Sequence, residues 1–499
     1  MKEHKKYCYM ALPVLGVLFY LIYIHKAAID LVYSDYIRLI NSYLPDVWNP
    51  QTFFVPDLLT RIPLNYVSRI INVKFFGYSV TYDRVMGILS FGLSAMCIAS
   101  YSYKKQIGLG WYAAMMAVMF SLNKWEMLYN GTGWIHFFAF ACFFCHYLIV
   151  DRIYYEKSKA AKNRREIWML CILPALITIG VAGPYCAIYT MTLVLAYLFI
   201  HVRNKIIIRQ DKKKLNVDEK SGAVGIMDKR LSRLTGKQIA LLLCMTVWPL
   251  LVYIWSNSKA EYEYAGAVRE PLLTSLLSAP KFFVKFFLKS FASMVFGVEM
   301  INRRMGDFQG KVWCLVGFLV ILSYLLAVWM NFYYKIAEET ILPLMLLAGG
   351  GMNHMIVLMN RWIFMNDTYG MSSRYALQYQ VGIIGIFLTF ALVARAKKKE
   401  KKPEKKWEKR VHTLMVAVAF VFVAGNVATT IEELDFCHHR KYSNELKVPV
   451  LLNYEDVTED ELKFLLEYQN DGIKEALTIL KENHWNIFGP NSASRALMQ

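Results

Sequence analysis

The sequence predicts an all-α polytopic membrane protein of about 11 transmembrane helices, and three observations carry that prediction. Hydrophobic residues make up 56% of the 499-residue chain, and the mean hydropathy is +0.31. Charged residues reach only 19%, against about a quarter in soluble domains. The apolar residues gather in runs of about 17 to 20, the length that crosses a hydrocarbon core of about 30 Å. The same facts exclude disorder, a disulfide-stapled secreted module and a soluble nucleic-acid-binding domain. The net charge of +19 is therefore read through the loops that hold it.

The runs fall at 8–24, 84–101, 108–122, 135–150, 167–181, 185–202, 238–255, 312–330, 340–359, 380–393 and 411–427. The first follows a short basic stretch and continues into His25, Lys26 and Ala27 without a cleavage pattern, so it reads as an uncleaved anchor. With the N-terminus in the cytoplasm, the inside loops are 102–107, 151–166, 203–237, 331–339 and 394–410. Together with residues 1–6 these hold more than half of the Lys and Arg residues, as the positive-inside rule asks. The expected location is the plasma membrane, with the C-terminus extracytoplasmic.

Segment 282–300 is apolar enough to pass for a further crossing. However, Lys281, Lys285 and Lys289 recur every four residues, which on a helix makes one polar stripe facing away from the phenylalanines. An interfacial helix is expected there. The chain thus divides into a membrane domain, residues 1–427, and a small extracytoplasmic helical tail, residues 428–499. In the tail Thr458 and Glu461 spell a capping box, and Leu462, Leu466, Ile473, Leu477 and Leu480 supply apolar faces. The nine cysteines show no disulfide pattern. Cys142-Phe-Phe-Cys145-His146 has a haem-attachment spelling but lies inside an apolar run. Cys437-His438-His439 lacks a spaced fourth ligand, so no metal site is assigned.

Two outside loops are long, 25–83 and 256–311, and long loops carry function more often than short connectors. The first holds Asp30, Asp35, Asp46, Asp57 and Asp83 among Tyr33, Tyr36, Tyr43, Trp48 and Tyr66. Carboxylates beside aromatic rings suit a sugar, whose hydroxyls need acceptors and whose apolar face stacks on rings. Five residues of helix turn through about 500°, so Asp30 and Asp35 point roughly 140° apart and only one faces a given pocket. Glu126 is the sole acid of the loop 123–134. Before the tenth run, Ser372-Ser373-Arg374-Tyr375 offers a guanidinium at the outer surface, shaped for two parallel bonds to a phosphate. Gly349, Gly350 and Gly351 call for a close backbone approach. Asn353 and His354, polar groups inside the same span, are candidate cavity-lining residues.

The span count, the acids straight after the first span (Asp30, Asp35), the acid of the next outside loop (Glu126) and the late Ser373-Arg374-Tyr375 resemble the GT-C superfamily of multi-spanning glycosyltransferases. The likeness covers roughly the first 430 residues in architecture. Adjacent Asp-Asp or Asp-Glu residues after the first span are absent, as is the Trp-Trp-Asp-Tyr-Gly motif of oligosaccharyltransferases. The resemblance implies a donor sugar linked to a polyprenyl phosphate and an extracytoplasmic glycan or lipid acceptor, with no nucleic acid involved. It makes Asp35 or Asp30 the catalytic base and Glu126 the second loop acid. Arg374, with Tyr375 and Lys285, would bind the donor phosphate. A divalent cation stays open as a cofactor. The competing expectations are a flippase or transporter of a lipid-linked saccharide, and a surface-polysaccharide polymerase or ligase. Transporters often show related halves or broken helices in matching positions, and only one glycine-rich interruption is found here.

Overall fold

A computed structural model of the chain describes residues 2–51, 62–155, 163–221, 234–258, 267–304, 309–400 and 405–490. Asp57 lies outside the described residues, as does part of each basic loop at 203–237 and 394–410. All regular structure among the described residues is helical. Among the described residues, nine helical segments are long and apolar enough to cross a membrane. This agrees with an all-α membrane protein, and it differs from the eleven runs of the sequence at two places.

The helices in chain order begin with α1 (Lys2–Ala27), α2 (Asp35–Tyr43), α3 (Pro63–Phe76), α4 (Val80–Lys104), α5 (Leu109–Met119), α6 (Trp125–Tyr129) and α7 (Trp134–Tyr155). Helix α5 is the first difference. Its 11 residues rise only about 16 Å, half of a hydrocarbon core. Lys124 stops it: the fully buried ammonium turns back to the carbonyls of Met119 (2.7 Å) and Ser121 (3.1 Å) and to the Tyr20 hydroxyl (3.1 Å), occupying acceptors that a longer helix would use itself. Tyr20 also donates to Ser121 O at 2.9 Å. It lies roughly 10 Å short of the end of α1 at 1.5 Å per residue, so the chain that carries Glu126 starts below the rim of the bundle.

Next come α8 (Asn163–Ile177), α9 (Cys186–Ser221) and α10 (Gly236–Ser256). The second difference is one of continuity: the apolar runs 167–181 and 185–202 lie in one 43-residue helical stretch, Arg165–Ile207, and the second run still reaches from Tyr185 at one end of the bundle to Arg203 at the other. At about 1.5 Å per residue that is twice a bilayer core. It is broken at Thr178–Ala182 and Gly183–Tyr185, where Gly183 takes φ 50 ahead of Pro184, a backbone that suits glycine.

The remaining helices are α11 (Leu272–Ser278), α12 (Pro280–Ala292), α13 (Val298–Arg304), α14 (Gln309–Tyr333), α15 (Leu342–Arg361), α16 (Ala376–Glu400), α17 (Lys406–Leu452), α18 (Glu459–Leu466) and α19 (Ile473–Glu482). At 13 residues, α12 is too short to cross a membrane. It packs on α14, where the Leu288 backbone abuts Gly317. Its lysines do not share one environment: Lys281 and Lys285 are exposed, whereas Lys289 is buried and ion-paired with Asp367 at 2.6 Å. The expected continuous polar stripe ends at Lys289.

The apolar part of α16, residues 376–393, is enclosed by protein. Gly350 of α15 meets the backbone of Gly382 on α16, so a neighbouring helix accounts for this glycine, whereas Gly351 has open space beside it. The last crossing does not stop near 427. Helix α17 continues for 47 residues, about 70 Å, and the tail joins the membrane bundle through it. The capping box of Thr458 and Glu461 forms, and Leu462, Leu466, Ile473, Leu477 and Leu480 are buried in the main core.

The connections gather at two ends of the bundle. One end unites Lys105, Asp151, Tyr155, Arg203, Glu339 and Arg395. The other unites the first loop, the turn after α5, the α15–α16 connection and the extension of α17.

Candidate functional site

At that second end lies a cavity of about 580 Å³. Its walls come from segments far apart in sequence. Tyr33, Ser34 and Asp35 come from the first loop, and Trp125, Glu126 and Tyr129 from α6. His136 is on α7 and Tyr185 sits at the broken stretch. Arg361 ends α15, Arg374 and Tyr375 precede α16, and residues from Phe436 to Lys447 belong to α17. Asp35, Glu126 and Arg374 therefore share one cavity.

Their environments differ. Asp35 is the first residue of α2 and is exposed to the cavity. It has no hydrogen-bond or ion-pair partner among the described residues. The preceding Ser34 sits at φ 52, ψ −126, an unfavourable backbone for a serine, held by its N–H donating to Leu466 O at 2.7 Å. Glu126 is fully engaged. Its Oε1 accepts from Arg374 Nη2 at 2.5 Å, and its Oε2 accepts from the Ser372 and Ser373 hydroxyls at 3.0 Å each. This carboxylate ties the turn before the enclosed α16 to α6, so it sets where Arg374 stands. A cation at a helix N-terminus opposes the macrodipole, and Glu126 offsets that. Arg374 remains half exposed, with a side-chain accessibility of 49%, and its other donors are unengaged among the described residues.

Asp30 does not line the cavity. Its Oδ1 accepts from the N–H groups of Val80 (2.6 Å) and Thr81 (3.1 Å), which caps the start of α4. Of the other expected residues, Tyr375 lines the cavity, and Lys285 is exposed on α12 and does not reach it. Asn353 donates to Gly349 O and Gln378 O and lines a narrow aromatic crevice with Phe143, Tyr185 and Tyr189. His354 is fully buried, stacked between Phe291 and Tyr379 at 3.7 Å each, with Nδ1 3.0 Å from Ser290 Oγ. These two are packing groups beside the cavity rather than in its wall. Among the described residues no group of His, Cys, Asp and Glu is arranged to hold a metal ion.

Sequence reasoning missed the α17 wall. Phe436, His439, Arg440, Ser443, Asn444 and Lys447 face the cavity, and their spacing of three and four is one helical face. That signal is present in the sequence once the last span is extended past 427. Arg440 lies 3.3 Å over the Trp125 ring and makes two 2.8 Å bonds to Glu433, which also accepts from Tyr23 at 2.8 Å. Glu467, at φ 53, reaches the rim and pairs with Lys447 at 3.6 Å. Burial pushes the Tyr33 and Tyr129 hydroxyls above their ordinary range, so both stay protonated and can donate at neutral pH.

The cavity therefore offers the Asp35 carboxylate, unpartnered among the described residues, the half-exposed Arg374 guanidinium, and tyrosine, tryptophan and histidine rings. Such a set can accept a hydroxyl proton, bind an anionic oxygen and stack a ring. Comparison with protein-family models, with curated proteins and with solved structures gave no match.

Proposed function

We propose that the chain is a GT-C-like membrane glycosyltransferase that moves a sugar from a polyprenyl-phosphate donor to an extracytoplasmic acceptor, working in the cavity between Asp35 and Arg374. The observation that supports this reading is the meeting of these two groups, 339 positions apart in numbering, on one cavity wall set. The carboxylate is unpartnered among the described residues, and the guanidinium is only partly committed.

In this reading Asp35 takes the proton from the acceptor hydroxyl as that oxygen bonds to the anomeric carbon. General-base help of this kind contributes roughly 10² to 10⁴ in rate. The bond from the anomeric carbon to the phosphate oxygen breaks, and the departing lipid phosphate keeps the electron pair. Arg374 stabilises that charge with donors already in place, and Glu126 keeps Arg374 oriented. The sunken start of the α6 segment fits a head group presented from within the membrane. In this reading the basic end of the bundle faces the cytoplasm, as the positive-inside rule asks, and the cavity opens on the extracytoplasmic side.

The test is incubation of the purified full chain with a panel of polyprenyl-phosphate sugars, following free lipid phosphate. Release together with a glycosylated acceptor supports the reading. No release from any donor, combined with transbilayer scrambling of the lipid in vesicles, overturns it in favour of a flippase.

A further inference from the structure

The carboxy-terminal segment reaches back across the whole sequence to the corner that presents Asp35. At one point Ser34 N–H donates to Leu466 O at 2.7 Å, the bond that accompanies the left-handed φ of Ser34. At a second point Asn486 joins three pieces of chain. Its Oδ1 accepts from Val32 N–H at 3.2 Å, its Nδ2 donates to Tyr78 O at 3.2 Å, and its own N–H donates to Gly77 O at 2.9 Å. Asn486 itself sits at φ 50 and is buried, a conformation asparagine tolerates better than most residues. At a third point Asn41 on α2 donates to Gly472 O at 2.8 Å. The first loop therefore does not hold Asp35 by its own contacts alone. Bonds from residues 466–486 fix two of the three residues before it, Val32 and Ser34, and the helix after it.

We propose that the tail is a clamp that positions Asp35, with Asn486 as its central positioning residue. This rests on the role given to Asp35 above. Val32 and Ser34 both donate backbone N–H groups to the tail, so loss of the clamp frees the corner on which Asp35 stands without altering Arg374 or Glu126. A carboxylate held loosely samples its reacting position for a smaller share of the time. That lowers turnover and leaves donor capture by Arg374 alone.

The experiment uses the full chain with Asn486→Gly, which keeps the left-handed backbone and removes only the amide. Hydrogen exchange is followed by mass spectrometry alongside transfer kinetics. The clamp predicts exchange at Val32 and Ser34 faster by about tenfold or more, with α14 to α16 unchanged. It also predicts a fall in kcat on the order of tenfold at constant donor KM. Asn41→Ala, which loosens the same junction from the α2 side, should give the same pattern at smaller amplitude. Unchanged exchange at residues 31–43 in both variants overturns the clamp, as does exchange that rises equally in every crossing helix. Because exchange needs no turnover, absence of donor cleavage by the unaltered chain would count against the transferase reading alone.

Discussion

The two ends of the bundle use similar residues in opposite ways. At the basic end the charged groups are committed to closing the structure. Asp151 Oδ1 accepts from Thr340 Oγ1 and Ile341 N–H at 2.7 Å and from Leu342 N–H at 3.3 Å, capping α15. Arg203 spans the carbonyls of Ala337 and Glu338, and Arg395 reaches Lys105 O and the Glu339 carboxylate. At the cavity end an acid stands exposed behind a strained serine, and a guanidinium keeps donors unengaged among the described residues. Buried polar groups normally find partners. A lock satisfies its charges internally, and a binding site leaves some to be satisfied by what enters.

Substitutions at each end should separate these roles. The largest effect is expected at Asp35. Asp35→Asn should cut transfer by about 10² to 10⁴ with the melting transition and donor binding of the detergent-solubilised chain unchanged, since the side chain supports nothing else among the described residues. Glu126→Gln should come next. It weakens the hold on Arg374 and should lower transfer on the order of tenfold to a hundredfold, with a raised donor KM as the sign that phosphate binding has been disturbed.

At the closed end the readout should be stability instead. Asp151→Ala leaves three donors at the start of α15 without their acceptor and should lower unfolding free energy by about 2 to 3 kcal/mol, with activity per folded molecule preserved. Asp30→Ala should show the smallest change, about 1 kcal/mol for a lost helix cap, and turnover close to that of the unaltered chain. An Asp30 variant that folds and loses all transfer would undo the contrast between capping acid and cavity acid.

The sequence made the membrane class legible because apolar run length is a direct physical requirement of the bilayer. It also exposed Asp35, Glu126 and Arg374, since charges at the ends of apolar runs stand out. It did not separate Asp30 from Asp35. The angle between them shows that both cannot face one pocket, but which of them caps α4 depends on a tertiary contact with Val80. Lys289 looked like the third tooth of a solvent-facing stripe, and only its pairing with Asp367 shows otherwise. Helix α5 is shorter than the apolar run that contains it, because the stop imposed by Lys124 depends on folding back to Tyr20. The α17 wall was hidden by ending the helix where the hydrophobicity ends.

The central claim, that Asp35 and Arg374 act on one substrate in one cavity, is tested most directly by a double-mutant cycle on kcat/KM for lipid-phosphate release with Asp35→Asn, Arg374→Ala and the pair. Groups that work as a unit are strongly non-additive, so the pair should lose little more than the worse single variant. Losses that simply multiply would mean the two groups act independently and would contradict the account.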